Sequence, residues 1–358
     1  MKVRLGDYIQ EYSVRNKTEE DIPVYSVTNT QGFCRDYFGK EVASKDKSTY
    51  KIVPRGAFAY NPSRINVGSV DWQRLEPRVI VSPLYNVFTV SPQLDQQYLY
   101  YYLKSDVTLH FIKAVATGSV RDNLKFTMLC DFPINLPSID GQREIVQKLD
   151  KLKGIIDLRQ QELQKFDELI KARFVEMFGD PVRNEKEWQT KALEDACKSI
   201  VDCPHSTPSY TSKDTGFMCI RTSIVKKNRI MWEDIEYIPE EEYKQRIQRK
   251  KPEKGDVVYT REGAILGIAA VIDRDCNVAL GQRSMLLSPD SAFCTPEFIS
   301  VAMNFDSFLD NALKEVSGSA SPHINVGDIK AFKMILPPIT QQEAFSAFVA
   351  QVDKSKVA

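Results

Sequence analysis

The amino-acid sequence predicts an α+β fold of two tandem, pseudo-symmetric domains, joined and spaced by long antiparallel coiled-coil helices. Two observations lead to this prediction. Blocks of similar sequence recur in the same order about 200 residues apart, and a long proline-free stretch with an apolar repeat follows the first set of blocks. With 358 residues, the chain is long enough to build two ordinary hydrophobic cores.

The internal repeat consists of three collinear blocks. In the first block, which aligns without a gap, the identical pairs include Gly118/Gly318, Ser119/Ser319, Phe132/Phe332 and Gln142/Gln342. In the second block, the repeated residues are Gly56/Gly255, Tyr60/Tyr259 and Gly68/Gly267. In the third block they are Leu5/Leu193 and Asp7/Asp195. Chance explains one such block more readily than three in the same order, so we infer a duplicated domain.

Each repeat has the same predicted plan of short strands followed by a helix. The predicted strands cover residues 57–60, 79–81 and 87–90 in the first half, and 257–259 and 284–287 in the second. The predicted helices cover residues 96–104 and 296–304. We therefore divide the chain into a first domain (1–140), a central helix (141–180), a second domain (181–340) and a C-terminal helix (341–358).

The predicted central helix carries a coiled-coil repeat. Alternating steps of four and three residues lead from Ile145 to Met177, and eight of the ten positions on these steps are apolar. Gly179 and Pro181 then end the helix. At about 1.5 Å per residue, a helix of this length reaches roughly 50 Å, so we expect it to space the two domains.

A second helix of the same kind begins at Gln341, with Phe345, Val349 and Val352 on the same steps. We expect it to pair antiparallel with the central helix, because helices that follow equivalent domains are related by an approximate two-fold axis. It ends about 20 residues earlier than the repeat predicts. Either the chain is truncated or a shorter helix suffices, and the sequence leaves both explanations open.

The composition is that of a folded, soluble protein, with 42% hydrophobic and 27% charged residues. The 48 basic residues balance the 48 acidic ones, which argues against a protein that coats nucleic acid without specificity. Local basic patches remain compatible with DNA binding. The seven cysteines form no CxxC pair, and the longest apolar stretch is too short for a bilayer, so we expect a cytoplasmic protein with no membrane contact.

Several local phrases, together with this plan, resemble the specificity subunit of type I restriction-modification systems. FDELIKARFVEMFGDP (residues 166–181) is similar to the end of that family's central helix. The phrases similar to its target-recognition domains are YNPSRINVG (60–68), TGSVRDNL (117–124), DCPHSTP (202–208), CIRTS (219–223), YTREG (259–263) and SGSASPHIN (317–325). The similarity covers nearly the whole chain, and the short C-terminal helix is its one departure.

The resemblance implies a non-catalytic subunit whose two target-recognition domains each read one half of a bipartite, asymmetric site in double-stranded DNA. It implies that the helices set the gap between the half-sites and dock two methyltransferase (modification) subunits. Restriction/translocase subunits would join the complex to cleave unmethylated DNA. The chain itself would bind no cofactor and no metal, since S-adenosylmethionine, ATP and Mg²⁺ belong to the partner subunits.

Candidate base contacts lie after a predicted strand in each half. In the first half, arginine and asparagine side chains suit guanine and adenine edges, and the candidates are Asn61, Arg64 and Asn66. A structural turn with the arginine in solvent is the alternative. In the second half, Arg261 and Glu262 are expected to read guanine and cytosine. A surface ion pair is the alternative there.

Other candidates suit the DNA backbone. The repeated Gly-Ser loops have amides and hydroxyls for phosphate oxygens, and their candidates, with the residues that follow, are Gly118, Ser119, Arg121, Asn123, Gly318, Ser319 and His323. A simple tight turn is the alternative. The basic run at residues 244–254, with Lys250 and Lys251, predicts a phosphate-binding stripe, unless it is a solvated helix face. Arg221 and Thr222, after another strand, complete the set.

The sequence offers little support for catalysis. The segment that begins at Asn61 lacks the aromatic residue of an amino-methyltransferase motif, and no Walker-type phosphate loop is present. Cys197, Cys203 and His205 lack the paired spacing of zinc ligands. Two other classes stay open: a DNA-acting nuclease or methyltransferase with an unrecognised active site, and a scaffold that binds only protein.

Overall fold

The computed structural model describes residues 2–18, 20–35, 47–115, 123–263, 265–314 and 323–357. The chain divides into two compact units, Met1–Leu158 (unit 1) and Arg159–Ala358 (unit 2). Each unit combines helices with mainly antiparallel sheets, which confirms the α+β prediction. The boundary at Leu158 falls within one long helix rather than in a loop.

Unit 1 is built from short strands with helices at its C-terminal end. Its strands are β1 (Lys2–Arg4), β2 (Ile9–Glu11), β3 (Ser26–Thr28), β4 (Gly32–Cys34), β5 (Lys51–Pro54), β6 (Phe58–Tyr60), β7 (Val70–Trp72), β8 (Arg78–Val81), β9 (Asn86–Val90) and β10 (Pro133–Asn135). Its helices are α1 (Gln96–Lys104), α2 (Asp106–Val115), α3 (Phe126–Cys130) and the start of α4 (Ile139–Phe178).

Unit 2 follows the same order with additional elements. Its strands are β11 (Thr190–Ala192), β12 (Cys197–Asp202), β13 (Met218–Ile220), β14 (Val225–Lys226), β15 (Arg229–Ile230), β16 (Glu236–Tyr237), β17 (Val257–Thr260), β18 (Ala269–Val271), β19 (Val278–Leu280), β20 (Ser284–Pro289) and β21 (Lys333–Ile335). Besides the end of α4, its helices are α5 (Leu193–Ala196), α6 (Glu240–Arg246), α7 (Pro296–Met303), α8 (Asp306–Lys314), α9 (Val326–Ala331) and α10 (Ile339–Val357). All strands and helices predicted from the pattern are present within two residues of their expected bounds.

A four-stranded antiparallel sheet is common to the two units. Its strand order is β2-β9-β6-β7 in unit 1 and β12-β20-β17-β18 in unit 2. A two-stranded pair accompanies it in both units, β1 with β10 and β11 with β21. The backbone N–H of Leu5 donates to the carbonyl of Phe132 (2.9 Å), and that of Leu193 donates to the carbonyl of Phe332 (2.8 Å). The shared sheet order and the matching contacts confirm the inferred duplication.

The repeated glycines have a backbone reason to recur. Gly56 and Gly255 have φ values of 86° and 90°, and Gly68 and Gly267 have φ values of 88° and 76°. These values lie in the left-handed region, which a glycine enters at little cost and most other residues avoid. Each pair therefore marks a turn beside β6 or β17 that both units retain.

A buried glutamine near the start of each long helix makes the same three hydrogen bonds. The side-chain oxygen of Gln142 accepts from the backbone N–H of Asp95 (2.8 Å), and its nitrogen donates to the carbonyls of Gln93 and Pro137. The side-chain oxygen of Gln342 accepts from the N–H of Thr295 (3.1 Å). Its nitrogen donates to the carbonyls of the equivalent residues, 293 and 337. Each glutamine thus ties its long helix to the start of α1 or α7.

Apolar packing follows the shared sheet. In unit 1, Phe58 on β6 stacks on Phe88 on β9 with ring centroids 5.1 Å apart, and both are fully buried. In unit 2, a cluster of buried phenylalanines joins α4, α7 and α10, with Phe174, Phe298 and Phe345 at its centre. Burial of each such ring contributes roughly 1.5–3 kcal/mol of hydrophobic stabilisation.

Within unit 2, the end of α4 and α10 run antiparallel, as the repeat predicts. Arg159 donates to the carbonyl of Lys356 (2.7 Å), and the Lys356 ammonium pairs with Asp167 (2.8 Å). Further along, the rings of Phe174 and Phe345 lie 5.5 Å apart. Although burial opposes its charge, hydrogen bonds to Asp167 and Asp353 raise the pKa of Lys356.

The predicted coiled-coil positions are only partly buried. In the second half of α4, Ile170 is buried, but the expected partner positions Arg173 and Met177 are only half-buried. The residues that complete the buried face are Phe174 and Phe178, which follow steps of four residues. The predicted positions therefore lie on the buried side of the helix at this end, and Phe174 and Phe178 widen that side toward the core of unit 2.

The N-terminal half of α4, by contrast, exposes apolar side chains. The exposed residues there are Leu152, Ile155, Ile156 and Leu158, each more than half exposed.

Within the described ranges, no helix combines the length and the apolar character needed to cross a membrane.

The units differ beyond the shared sheet. Unit 1 pairs β3 with β4 and β5 with β8, in both cases antiparallel. Unit 2 has a three-stranded sheet in the order β16-β13-β19, in which β13 and β19 run parallel, and a separate pair of β14 with β15. The divergence is concentrated in the strands that do not belong to the common four-stranded sheet.

Candidate nucleic-acid interface

The loop after β6 in unit 1 is fixed by a buried tyrosine. The hydroxyl of Tyr60 donates to the carbonyl of Leu124 (3.1 Å) and accepts from the side-chain amide of Asn86 (2.9 Å). Burial raises the pKa of Tyr60, so the hydroxyl stays protonated. The N–H of Leu124 donates to the carbonyl of Pro62 (3.1 Å), which attaches the loop to the segment before α3.

The three predicted base-reading residues of this loop have different surroundings. The side-chain oxygen of Asn61 accepts from the backbone and the hydroxyl of Ser63, which makes it a turn residue. Asn66 is half-buried in the 3-10 turn that follows. Arg64 is exposed, and its guanidinium has no hydrogen bond or ion pair among the described residues. Of the three, Arg64 is the side chain that remains free to meet a ligand.

A pocket of about 370 Å³ lies beside this loop. It is lined by Glu11, Pro62, Asn86, Asn123, Leu124, Lys125, Phe126 and Thr127. Asn123 is exposed at this pocket, so its side-chain amide is available to a ligand. The loop after β6 and the segment before α3 thus meet at one polar surface in unit 1.

The equivalent loop of unit 2 contains Arg261, which is buried. Only 6% of its side chain is exposed, and its guanidinium pairs with Asp202 at 3.1 and 3.4 Å and with Glu262 at 3.1 Å. Its backbone carbonyl accepts from the N–H of Ile324 (3.0 Å), the counterpart of the Leu124 contact in unit 1. The expectation that Arg261 reads guanine directly is corrected, because its guanidinium is buried and is already held by Asp202, Glu262 and the carbonyl of Ile324.

Glu262 lies between two arginines. One oxygen contacts Arg261, the other lies 3.9 Å from Nε of Arg283, and 29% of the side chain is exposed. Its backbone forms a bridge with that of His323. On the far side of the network, Nε2 of His205 lies 3.1 Å from Asp202, and the imidazole is 67% exposed. Charged groups of both signs therefore meet at the ends of β12 and β17.

The remaining described candidates of unit 2 are Arg221, Thr222, Lys250 and Lys251, and they are not members of this network. Arg221 pairs with Glu236 (2.9 Å), and the neighbouring Thr222 is half-buried. Lys250 pairs with Asp256 (3.1 Å) and is only 20% exposed, whereas Lys251 is exposed. Lys250 is therefore less available to a phosphate than the sequence suggests.

Five predicted phosphate-binding or loop residues lie outside the described residues. They are Gly118, Ser119, Arg121, Gly318 and Ser319. The residues that directly follow these segments in the described structure are Asn123 in unit 1 and His323 in unit 2, and both lie beside the loops already described.

Sequence reasoning missed two residues that organise these loops. Asn86 supports Tyr60 from the neighbouring strand, and Asp202 supports Arg261 from a strand 59 residues earlier. Asp202 begins the phrase DCPHSTP, whose resemblance to the family does not indicate a role for this carboxylate. Neither residue carries a motif, because its role depends on which strands become neighbours.

Both units match one protein family. The family described as the type I restriction modification DNA specificity domain matches residues 5–167 and 185–358. The MjaVIII specificity subunit of Methanocaldococcus jannaschii, a type I restriction enzyme subunit, is 21% identical over 274 residues. This alignment covers 73% of the chain but 64% of that relative, so the chain spans less than two thirds of its length.

A second relative and a solved structure extend over nearly the whole chain. The EcoKI specificity subunit of Escherichia coli strain K12 is 22% identical over 377 residues, covering 98% of the chain and 79% of the relative. A solved chain from work on assembly and conformational transition of the type I R-M system has a TM-score of 0.50 at 18% identity. It covers 100% of this chain and 90% of that chain, and at this identity it supports the fold alone.

The match to the family extends through both duplicated units and covers well over half of the chain. The chain therefore belongs to the family of type I restriction modification DNA specificity domains.

Proposed function

We propose that this chain is the non-catalytic specificity subunit of a type I restriction-modification complex. Each unit reads one part of a bipartite, asymmetric site in double-stranded DNA. The observation that carries the proposal is a duplicated sheet whose equivalent loops, after β6 and β17, present different residues. A true two-fold dimer would read a palindrome, whereas unequal loops on a repeated fold suit two unequal half-sites. The names of the relatives as specificity subunits support this function.

The partners follow from this role. Two methyltransferase subunits would dock on the long helices, and restriction/translocase subunits would join them in the cytoplasm. The exposed apolar residues of α4, including Leu152, Ile156 and Leu158, support a docking role for that helix, since contiguous exposed apolar surface is typical of binding sites. S-adenosylmethionine, ATP and Mg²⁺ would then be bound by the partners.

Within unit 1, Arg64 would read a base, while the Asn61 turn and Asn123 would position the loop on the duplex. Within unit 2, Lys251 would contact phosphate and Arg221 would reach the duplex only if it left Glu236. The Gly-Ser loops at 118–119 and 318–319 would contact phosphates through their amides.

The test is sequence selection from a random duplex library by the full chain bound to its methyltransferase partner. We expect a two-part motif with a fixed gap. The Arg64→Ala variant should relax one base position in one half-site by about 1–3 kcal/mol, since a bidentate arginine contact supplies that discrimination. The Lys251→Ala variant should weaken binding to every sequence alike, with a shallower salt dependence.

The purified chain alone, incubated with DNA, Mg²⁺ and S-adenosylmethionine, should neither cleave nor methylate. Turnover under these conditions would identify an enzyme and sink the proposal. Selection that enriches no motif would instead favour a scaffold that binds only protein.

A further inference from the structure

We propose that Arg283 is a base-reading residue of unit 2, and that Arg261 and Glu262 are the positioning residues that hold its turn. This inference rests on the proposed function, because it names the side chain through which unit 2 would recognise DNA. Arg283 lies in the short turn between β19 and β20, and 53% of its side chain is exposed. It belongs to no motif in the sequence.

The backbone of Arg283 is held in an unusual conformation. Its φ of 69° lies in the left-handed region, which is uncommon for a residue with a long side chain. Its carbonyl accepts from the N–H of Arg261 (3.1 Å), so the neighbouring strand holds the turn in this conformation. Strained residues that the surrounding structure keeps in place are concentrated at functional sites. The conformation of this turn is therefore consistent with a functional role for the Arg283 side chain.

The charged network under this turn leaves the end of Arg283 unoccupied. Asp202 and Glu262 bind the buried guanidinium of Arg261, and the second oxygen of Glu262 lies 3.9 Å from Nε of Arg283. The two terminal nitrogens of Arg283 have no hydrogen bond among the described residues. Both terminal nitrogens are therefore available for O6 and N7 of guanine.

Unit 1 provides the comparison that carries the inference. Strand register pairs Tyr60 with Asn86 in unit 1 and Tyr259 with Met285 in unit 2. Leu84 lies two residues before Asn86, and Arg283 lies two residues before Met285, so Leu84 and Arg283 are equivalent positions. Leu84 is 78% exposed. One turn thus presents an exposed side chain in both units, apolar in one and cationic in the other.

An arginine lies at the equivalent loop in both units, but it comes from a different position in the sequence. In the repeat alignment, Gly263 is equivalent to Arg64 of unit 1. A Cβ added to Gly263 would lie 3.5 Å from Nη1 of Arg283, so the guanidinium of Arg283 occupies the space beside that position. Unit 1 delivers the guanidinium from the loop after β6, and unit 2 delivers it from the turn before β20. Arginines at different positions in the two units suit two domains that read different half-sites.

An ordinary surface ion pair explains the geometry less well. At 3.9 Å, the Glu262 contact is long, and exposed pairs of this kind contribute little to stability. Such a contribution does not account for a strained arginine at this turn.

The test uses the full chain bound to its methyltransferase partner and a random-sequence duplex library. We expect Arg283→Ala to reduce the preference for guanine at one position by about 10- to 100-fold, while the other positions keep theirs. Arg283→Gln should move that preference toward adenine, because a glutamine amide pairs with the N6 and N7 of adenine. Glu262→Gln should weaken the guanine preference without changing it to another base.

Two controls separate reading from folding. Arg274→Ala removes another half-exposed arginine of unit 2, one paired with its neighbour Asp273, and should leave every position of the motif unchanged. Arg283→Gly suits a positive φ and should melt no lower than the parent chain, yet lose the guanine preference.

The outcomes distinguish this inference from the proposed function. If Arg283→Ala keeps the parent preference at every position, or loses affinity for all sequences equally, Arg283 does not read a base, and the two-part motif of the parent still supports the proposed function. If the parent complex enriches no motif, the proposed function fails and this inference fails with it.

Discussion

Replacement of Gln342 by leucine tests whether one buried amide holds each long helix to its domain. The side chain is fully buried, and it makes hydrogen bonds of 3.1, 2.9 and 2.8 Å to three backbone groups. Leucine has a similar volume but makes none of them. At about 1 kcal/mol for each hydrogen bond, we expect the free energy of unfolding of unit 2 to fall by about 3 kcal/mol.

Gln142 offers the same experiment in unit 1. Its three contacts match those of Gln342 within 0.3 Å. Gln142→Leu should therefore lower the stability of unit 1 by about the same 3 kcal/mol. Gln147→Leu is the matched control, because Gln147 is exposed on the same helix and its replacement should change stability by less than about 0.5 kcal/mol.

Urea unfolding gives the overall change, and hydrogen exchange followed by mass spectrometry assigns it to a unit. Gln342→Leu should speed exchange in peptides around Thr295 and the start of α7, and Gln142→Leu should do so around Asp95 and the start of α1. If Gln342→Leu unfolds at the parent urea concentration, the buried amide does not hold the helix. If either variant speeds exchange equally at both helices, the idea of two separate contacts is refuted.

Three further predictions concern packing, hydroxyl pairing and thiol reactivity. Phe174→Ala should cost about 3–5 kcal/mol because the ring is fully buried, whereas Leu152→Ala on the exposed part of α4 should cost less than about 0.5 kcal/mol, as urea unfolding would measure. Tyr60→Phe should cost about 1–2 kcal/mol by removing a donor and an acceptor, while Tyr259→Phe should be neutral or stabilising; equal losses would contradict the contacts. Burial raises the pKa of the Cys219 thiol to about 12, so it should remain a thiol from pH 7 to 9 and resist iodoacetamide until urea unfolds the chain, with mass spectrometry as the readout.

Short apolar runs and the internal repeat predicted most of the secondary structure from the sequence. Short apolar runs located strands such as β6 and β17 within two residues, and the repeat located the sheet that they share. The heptad steps located the buried side of α4 near Ile170 but did not include Phe174 and Phe178, because a helix that packs on a globular core buries a wider face than a coiled-coil seam. The helix and part of its buried face were thus predictable, but the full width of that face was not.

The candidate site was less predictable, because side-chain roles depend on partners far along the chain. Arg261 and Arg64 both follow the shared strand, and residue type alone suggests the same role for both. The structure separates them, since Asp202 binds Arg261 and no described residue binds Arg64. A half-buried carboxylate 59 residues away decides which arginine is available, and no local pattern records it.

The two copies of one tyrosine show how a repeated fold comes to carry unequal sites. The hydroxyl of Tyr60 is satisfied by Asn86 and by the carbonyl of Leu124. In unit 2, strand register places Met285 where unit 1 has Asn86, and the buried hydroxyl of Tyr259 has no partner among the described residues. The carbonyl of Ile324, the counterpart of Leu124, instead accepts from Arg261 at 3.5 Å. A buried polar group without a partner costs stability, so selection for folding alone does not explain the change. The exchange places Arg261, with its carboxylate partners, under the turn of Arg283, so this difference between the units lies where we propose that they read DNA.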